Sequence, residues 1–287
     1  MLQPIVRKFS VITAIAFGIT FASCSSDTPS NNAFFADGPV EIPALSSDAN
    51  CQFISHTTLH RGKEVNTFSL EYDKDKKHAR WVAFKFYNTT GERNIDRSPE
   101  PFAPDPEIAT NSQRIQADFG RKGYDRGHLC ASADRLYNQE ANEQTFYYTN
   151  MSPQKNSFNV GIWRDLEALV QNWGRNNSHR DTLYVVKGAA LNKPEYIKEY
   201  IGGDKTKPVP KYYFMALINK KGEGFKGIAF WLDQTRYYSK KDRLSQFAIT
   251  IDELEEKTGI DFFPHLNDPL EKAVEANIQT SAWSGLN

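Results

Sequence analysis

The 287-residue chain carries no net charge, its 35 basic residues matching 35 acidic ones, and it holds only three cysteines. A balanced chain meets a polyanion through a local basic groove, not as a cationic whole. It also lacks any internal repeat and, beyond residue 51, any Pro/Gly/Ser linker long enough to divide it, which excludes a solenoid or tandem modules. No apolar run reaches the ~20 residues that a membrane-spanning helix needs. With 39% hydrophobic and 24% charged residues, the composition is that of a globular protein and excludes disorder, a coiled coil or a multi-span membrane protein. A chain of this length fits one large domain or two small ones, since domains hold about 100–200 residues, and the lack of a dividing linker favours one.

The first fifty residues differ from the rest. Arg7 and Lys8 precede an uncharged apolar stretch from Phe9 to Phe21, the pattern of an export signal. Phe21-Ala22-Ser23-Cys24 resembles a bacterial lipobox, with Cys24 as the acylated first residue after cleavage; an ordinary signal peptide with an incidental cysteine is the plainer alternative. Residues 1–23 are thus expected to be a lipoprotein signal peptide. Residues 24–50, rich in Ser, Asn, Asp, Pro and Ala, are expected to be a flexible tether, and residues 51–287 the catalytic domain. Ser25 after Cys24 favours sorting to the outer membrane by analogy, facing the periplasm or the exterior. Cys51 and Cys130 then remain, either as a disulfide or as two buried thiols.

Runs rich in aromatic and β-branched residues predict strands at 67–72, 79–87, 146–149, 183–188, 212–218 and 227–232. Val160, Trp163, Leu166, Leu169, Val170 and Trp173 recur at three- and four-residue spacing, which predicts a helix starting at Asn159 with that stripe on a core. Residues 252–257 begin acidic and stop before Gly259, as a short capped helix does. Irregular interleaving of the two predicts an α+β fold, with a mostly antiparallel central sheet flanked by helices.

Among six histidines, His128 stands in an unusual run, Tyr124-Asp125-Arg126-Gly127-His128. His56 and His60 have the i, i+4 spacing of a helical zinc pair, but Thr57-Thr58 disfavour a helix and no Glu follows His56. They read as surface residues, and a zinc protease has almost no support. Read alone, His128 is equally a core histidine bonded to a carbonyl.

Asp125-Arg126-Gly127-His128 resembles the signature of the DNA/RNA non-specific endonucleases, the ββα-metal nucleases that include mitochondrial endonuclease G. The segments that follow match in order and spacing: Thr149-Asn150-Met151-Ser152-Pro153-Gln154, then Phe158-Asn159 through Trp163, then Leu166-Glu167. The resemblance runs from Arg97-Ser98-Pro99-Glu100-Pro101-Phe102 to Thr258-Gly259-Ile260-Asp261-Phe262-Phe263 and leaves out residues 1–50.

This resemblance implies a ββα-metal site that hydrolyses internal phosphodiester bonds of DNA and RNA to 5′-phosphate products. His128 would be the general base, because a neutral imidazole takes a proton near working pH. Asn159 would ligate Mg²⁺ or Mn²⁺ through its amide oxygen, and Glu167 would orient metal-bound water. Arg126 and Arg97 would grip the scissile phosphate. Asn150 matches an asparagine near the base, and Asp125 is expected to orient its neighbours by a salt bridge. Each has a plainer reading, Asn159 as an N-cap, Glu167 as a solvated partner of Arg164, and Phe146-Tyr147-Tyr148 as a core strand and not a base-stacking platform. Cys130 and the lipoprotein tether depart from the best-known relatives. The rival reading is a non-catalytic, surface-anchored nucleic-acid-binding lipoprotein of the same fold.

Overall fold

The computed structural model of the chain describes residues 38–286 apart from 100, 101, 116, 121 and 122. Its frame is a seven-stranded sheet ordered β1-β2-β3-β6-β9-β10-β11, antiparallel at every pairing. The strands are β1 (Cys51–His60), β2 (Lys63–Asp73), β3 (His78–Phe86), β6 (Thr182–Ala189), β9 (Tyr212–Lys221), β10 (Gly224–Asp233) and β11 (Ala248–Ile249). Two ribbons stand apart from it, β4 (Tyr124–His128) with β5 (Met151–Lys155), and β7 (Ile197–Ile201) with β8 (Lys207–Pro210).

The sheet is covered on both faces, so its central strands are apolar at consecutive positions and not at alternate ones. Val82, Phe84, Val185, Leu217 and Phe230 enter one core together with Trp163, Leu166 and Val170 of the following helices. Trp81, Ala83, Val186, Phe214 and Ala216 enter the other, against Ile251, Leu254, Phe262 and Val274. Five of the six expected strands coincide with β2, β3, β6, β9 and β10, the run 79–87 passing the end of β3 by one residue. The expected helix at 252–257 is the Ile251–Thr258 helix, capped by the Thr250 side chain, which accepts from Glu253 N. Among the described residues no helix is long and apolar enough to cross a membrane.

Four expectations change. Residues 146–149 are not a strand: Tyr147 makes one bridge to Ala103 and Tyr148–Asn150 form a 3₁₀ turn, although Phe146 and Tyr148 are buried as a core reading requires. The helix after Asn159 is not continuous, because a wide π-type turn (Asn159–Trp163) with non-helical Gly161 precedes the Arg164–Arg175 helix. Val160 consequently leaves the apolar stripe and is 46% exposed. The segment expected as tether is not free as far as residue 50, since Val40 joins the second core, Glu41 pairs with Lys85 at 2.9 Å and Ala44 N donates to Asp261 O. His56 is not a surface residue: it is buried on β1, 3.0 Å from Asp105, and His60 is edge-on to Tyr137. Four residues along a strand span about 13 Å, too far apart for a shared zinc. Cys51 and Cys130 are free thiols, Cys130 fully buried.

The β4–β5 ribbon is docked onto the sheet by a buried polar chain. His78 on β3 donates from Nδ1 to Ala79 O, and its Nε2 accepts from Ser152 Oγ of β5, both at 2.6 Å. Tyr213 of β9 lies 2.7 Å from that serine and donates to Pro153 O. Burial drives the His78 imidazole down to about 3 from its ordinary 6.5, helped by the Arg114 charge. A group protonated more readily unfolded than folded withdraws stability as pH falls below its unfolded value. Stability followed by urea denaturation should therefore drop between pH 6.5 and 3. The His78 share has a slope of at most about 1.4 kcal/mol per pH unit, and His78→Gln should flatten that part of the profile.

Candidate active site

The β4–β5 ribbon and the helix that follows it make one wall and the floor of a groove lined by Arg97, Phe102, Arg126, His128, Asn159 and Glu167, with Ala131–Ala133 and Gln171 at its sides. Arg126 and His128 are two residues apart on β4 and so project from the same side of the strand. Gly127 between them faces Ser152 in the pairing. A Cβ at Gly127 would lie 2.1 Å from Gln154 Oε1, so only glycine lets that side chain cross beneath the strand.

Two rings hold the histidine. Phe146 meets it edge-on at 5.1 Å and Phe102 lies tilted at 5.6 Å. The same rings carry the two arginines on their faces, Arg97 over Phe146 at 4.8 Å and Arg126 over Phe102 at 3.9 Å. Each stack gives a guanidinium a fixed seat while leaving its donors for an anion. Phe102 and Phe146 are site residues that sequence reasoning passed over; the only signal was their place beside matched motifs. His128 Nε2 is buried without a hydrogen-bond partner. Burial first, then the Arg97 charge, lower the ring to about 3, with Lys187 and Arg126 adding to the fall and Asp134 opposing it. The imidazole is therefore neutral at any ordinary pH.

Asn159 is not an N-cap: it closes the short Asn156–Phe158 turn as its C-cap, and the positions before the next two helical segments are Phe158 and Trp163. The Asn159 Nδ2 donates to Asp125 Oδ2 at 3.0 Å, and Asn156 donates to the same oxygen at 2.9 Å. Asp125 thus orients its neighbours by accepting from two amides, and no salt bridge to it is formed among the described residues. Because the carboxylate accepts, the Asn159 amide is turned with its nitrogen toward Asp125 and its oxygen left over. The Asn159 amide oxygen and the Glu167 carboxylate line one groove that has no thiol in its lining, and such oxygen donors fit a hard divalent cation.

Glu167 is not paired with Arg164, which instead bonds Asp165 at 3.1 Å. It accepts from Lys187 Nζ at 3.1 Å, and the same ammonium lies 2.8 Å from Asp134, with Lys187 and Asp134 fully buried. Lys187 follows Leu183 and Val185 on alternate positions of β6, which aims it at the groove side of the sheet. Burial works against its charge, yet Asp134 and Glu167 hold its pKa above the ordinary value. Burial pushes the Glu167 carboxyl up to about 7 despite Lys187, while Lys187 keeps Asp134 below the usual range. Asp134 also accepts from Ala131 N and Gln171 Nε2.

Asn150 does not line the groove. It is fully buried, where its Oδ1 accepts from Cys130 N and its Nδ2 donates to Cys130 O and Thr145 O, all at 2.7–2.8 Å. It pins the chain just past His128, which is a positioning role. Arg97, Arg126, His128, Asn159 and Glu167 are brought together as expected, and Asp134 and Lys187 are added to them.

Comparison with known proteins gives the family. The sequence model of the DNA/RNA non-specific endonuclease family matches residues 47–269, and the chain belongs to that family. It is 30% identical over 210 residues to mitochondrial endonuclease G of Caenorhabditis elegans, covering 70% of this chain and 67% of that protein. It is 29% identical over 224 residues to a nuclease of Nostoc sp., covering 74% and 77% of the two chains. A crystal structure of an EndoG/EndoGI complex, which describes the mechanism of EndoG inhibition, superposes with a TM-score of 0.64 at 25% identity, covering 76% of this chain and 89% of that one. The chain is a nuclease, a hydrolase of the endonuclease G kind.

Removing the Lys187 ammonium leaves two carboxylates facing each other in the interior. Lys187→Met should cost about 3–5 kcal/mol, the usual penalty for stripping one partner from a buried ion pair, read as a lower urea midpoint. A loss under 1 kcal/mol would mean that the carboxylates are neutral without it.

Proposed function

We propose that this nuclease cleaves internal phosphodiester bonds of DNA and RNA in a Mg²⁺-dependent hydrolysis that leaves 5′-phosphate ends. The observation that carries this is the convergence in one groove of a neutral histidine, two ring-seated arginines, the Asn159 amide and the Glu167 carboxylate.

The Arg97 and Arg126 guanidiniums hold the scissile phosphate by paired donors and meet the charge that grows on it. His128 accepts a proton from the attacking water. Its Nε2 is closed off from the groove, so the proton is received at Nδ1 and the resting tautomer carries its hydrogen on Nε2. Water adds to phosphorus, the bond to the 3′ oxygen breaks, and the phosphate stays on the 5′ side. Asn159 would hold the cation and Glu167 would orient its water; when bound, the cation neutralises charge on the leaving 3′ oxygen. Nothing in the arrangement calls on a 2′-hydroxyl, and phosphate contacts carry no base information, which supports action on both nucleic acids with slight sequence preference.

Replacing His128 by Ala should lower the rate of supercoiled-plasmid nicking about 10²–10⁴-fold while the circular dichroism spectrum stays unchanged. EDTA should stop the wild-type reaction and added Mg²⁺ restore it. Nicking that persists in EDTA would overturn the metal dependence, and binding without cleavage under all conditions would favour a nucleic-acid-binding role.

Residues 1–37 lie outside the described residues, and their reading rests on sequence. We propose export as an outer-membrane lipoprotein acylated on Cys24, facing the periplasm or the exterior. Detergent-phase partitioning and labelling with an alkyne fatty acid should both be lost in Cys24→Ala; a labelled Cys24→Ala chain would refute the anchor.

A further inference from the structure

On the face of the sheet opposite the groove, the Ile251–Thr258 and Asp268–Glu275 helices pack against β10. The second helix comes very close, because a Cβ at Gly227 of β10 would lie 2.4 Å from Val274 O. This close approach presses the next residue, Glu275, inward until it is only 5% exposed. Its Oε1 is buried and has no hydrogen-bond partner. Asp252 and Glu255 of the first helix face it, and one carboxylate oxygen from each of the three lies within 4.8 Å of the others. No Lys, Arg or His forms an ion pair with any of the three among the described residues. Glu255 spends one oxygen on Phe262 N at 2.7 Å, which fixes the chain after the helix and leaves its second oxygen for the cluster.

A buried, unbonded carboxylate oxygen is costly unless something meets it. We propose that Asp252, Glu255 and Glu275 form a second cation site, structural and separate from the nuclease groove, that binds a hard divalent ion, with Ca²⁺ the best fit. Oxygens within 4.8 Å of one another are at the spacing of ligands around one ion, since Ca²⁺–oxygen distances of about 2.3–2.6 Å put ligand oxygens up to about 5 Å apart. Ca²⁺ tolerates irregular sets of six to eight oxygens, whereas Mg²⁺ demands a near-octahedral shell. Asp252 is exposed, so water completes the shell from its side. Such an ion ties the two helices together over β10.

The test uses the full chain carrying Asn159→Ala, which removes the proposed groove ligand, and titrates Ca²⁺ calorimetrically. One site is expected, with a rise in Tm of about 5 °C at saturating Ca²⁺. Adding Glu275→Gln should weaken Ca²⁺ at least tenfold and abolish the Tm rise, and so should Asp252→Asn, which alters an exposed residue and leaves the fold alone. The proposal is overturned if Asn159→Ala binds no Ca²⁺, or if both added substitutions leave Ca²⁺ binding unchanged. Failure of the groove reading shows separately, as equal ion stoichiometry in wild type and Asn159→Ala.

Discussion

The groove depends on one buried ammonium. Lys187 projects from the central strand β6 and meets Asp134 and Glu167 at 2.8 and 3.1 Å, so a single charge joins three parts of the fold. Asp134 anchors the loop that leaves His128, through Ala131 N, and reaches the helix through Gln171. Glu167 belongs to that helix, one turn beyond the irregular segment that presents Asn159. Two carboxylates without the lysine would repel in a medium that screens poorly, and either would leave by shifting its helix or loop. The ammonium thus sets the distance between the histidine wall and the helix wall.

The second constraint is how a chain with no net charge builds a site for a polyanion. The positive charge is local: Arg97 and Arg126 are held on the faces of Phe146 and Phe102. A stacked guanidinium loses less rotational freedom on binding than a free one, and its in-plane donors stay available. Among the described residues, Asp125 is engaged by Asn156 and Asn159, and Asp134 and Glu167 by Lys187. The groove is therefore basic where phosphate would enter, although the surface as a whole is balanced.

Much of this was legible in the sequence, and the failures have physical causes. Central strands with both faces buried show as dense apolar runs, which is why β2, β3, β6, β9 and β10 were found; β1, with its burial alternating only in part, and the short β4 and β5, whose residues Asp125 and Gln154 make no apolar pattern, were not. The run 146–149 has strand composition, but its residues are buried as a turn packed around His128. Helical periodicity located the Arg164–Arg175 helix and could not see the break at Gly161, because Ile162 and Trp163 stay buried across it. The motif residues were placed by their match to the family. Lys187 was hidden, since a lone lysine ending an apolar strand run looks like an edge residue until the fold brings two carboxylates to it. Glu275 was hidden for the same reason: its helix looks solvated, and only the close approach at Gly227 buries it.

A histidine whose proton affinity is so reduced is a weak base while the groove holds no substrate, and the causes of the reduction indicate how that changes in the proposed reaction. Burial is the largest cause, and its effect stays while the rings of Phe102 and Phe146 enclose the imidazole. The next is the Arg97 charge, with Lys187 and Arg126 behind it. A phosphate seated between the two arginines offsets their charge at the ring and adds its own negative potential, and both effects favour the imidazolium. Lys187 is already offset by Asp134 and Glu167. The base would therefore gain strength when a phosphodiester occupies the groove, and the neutral resting ring would keep the arginines free of competition from a third cation until then.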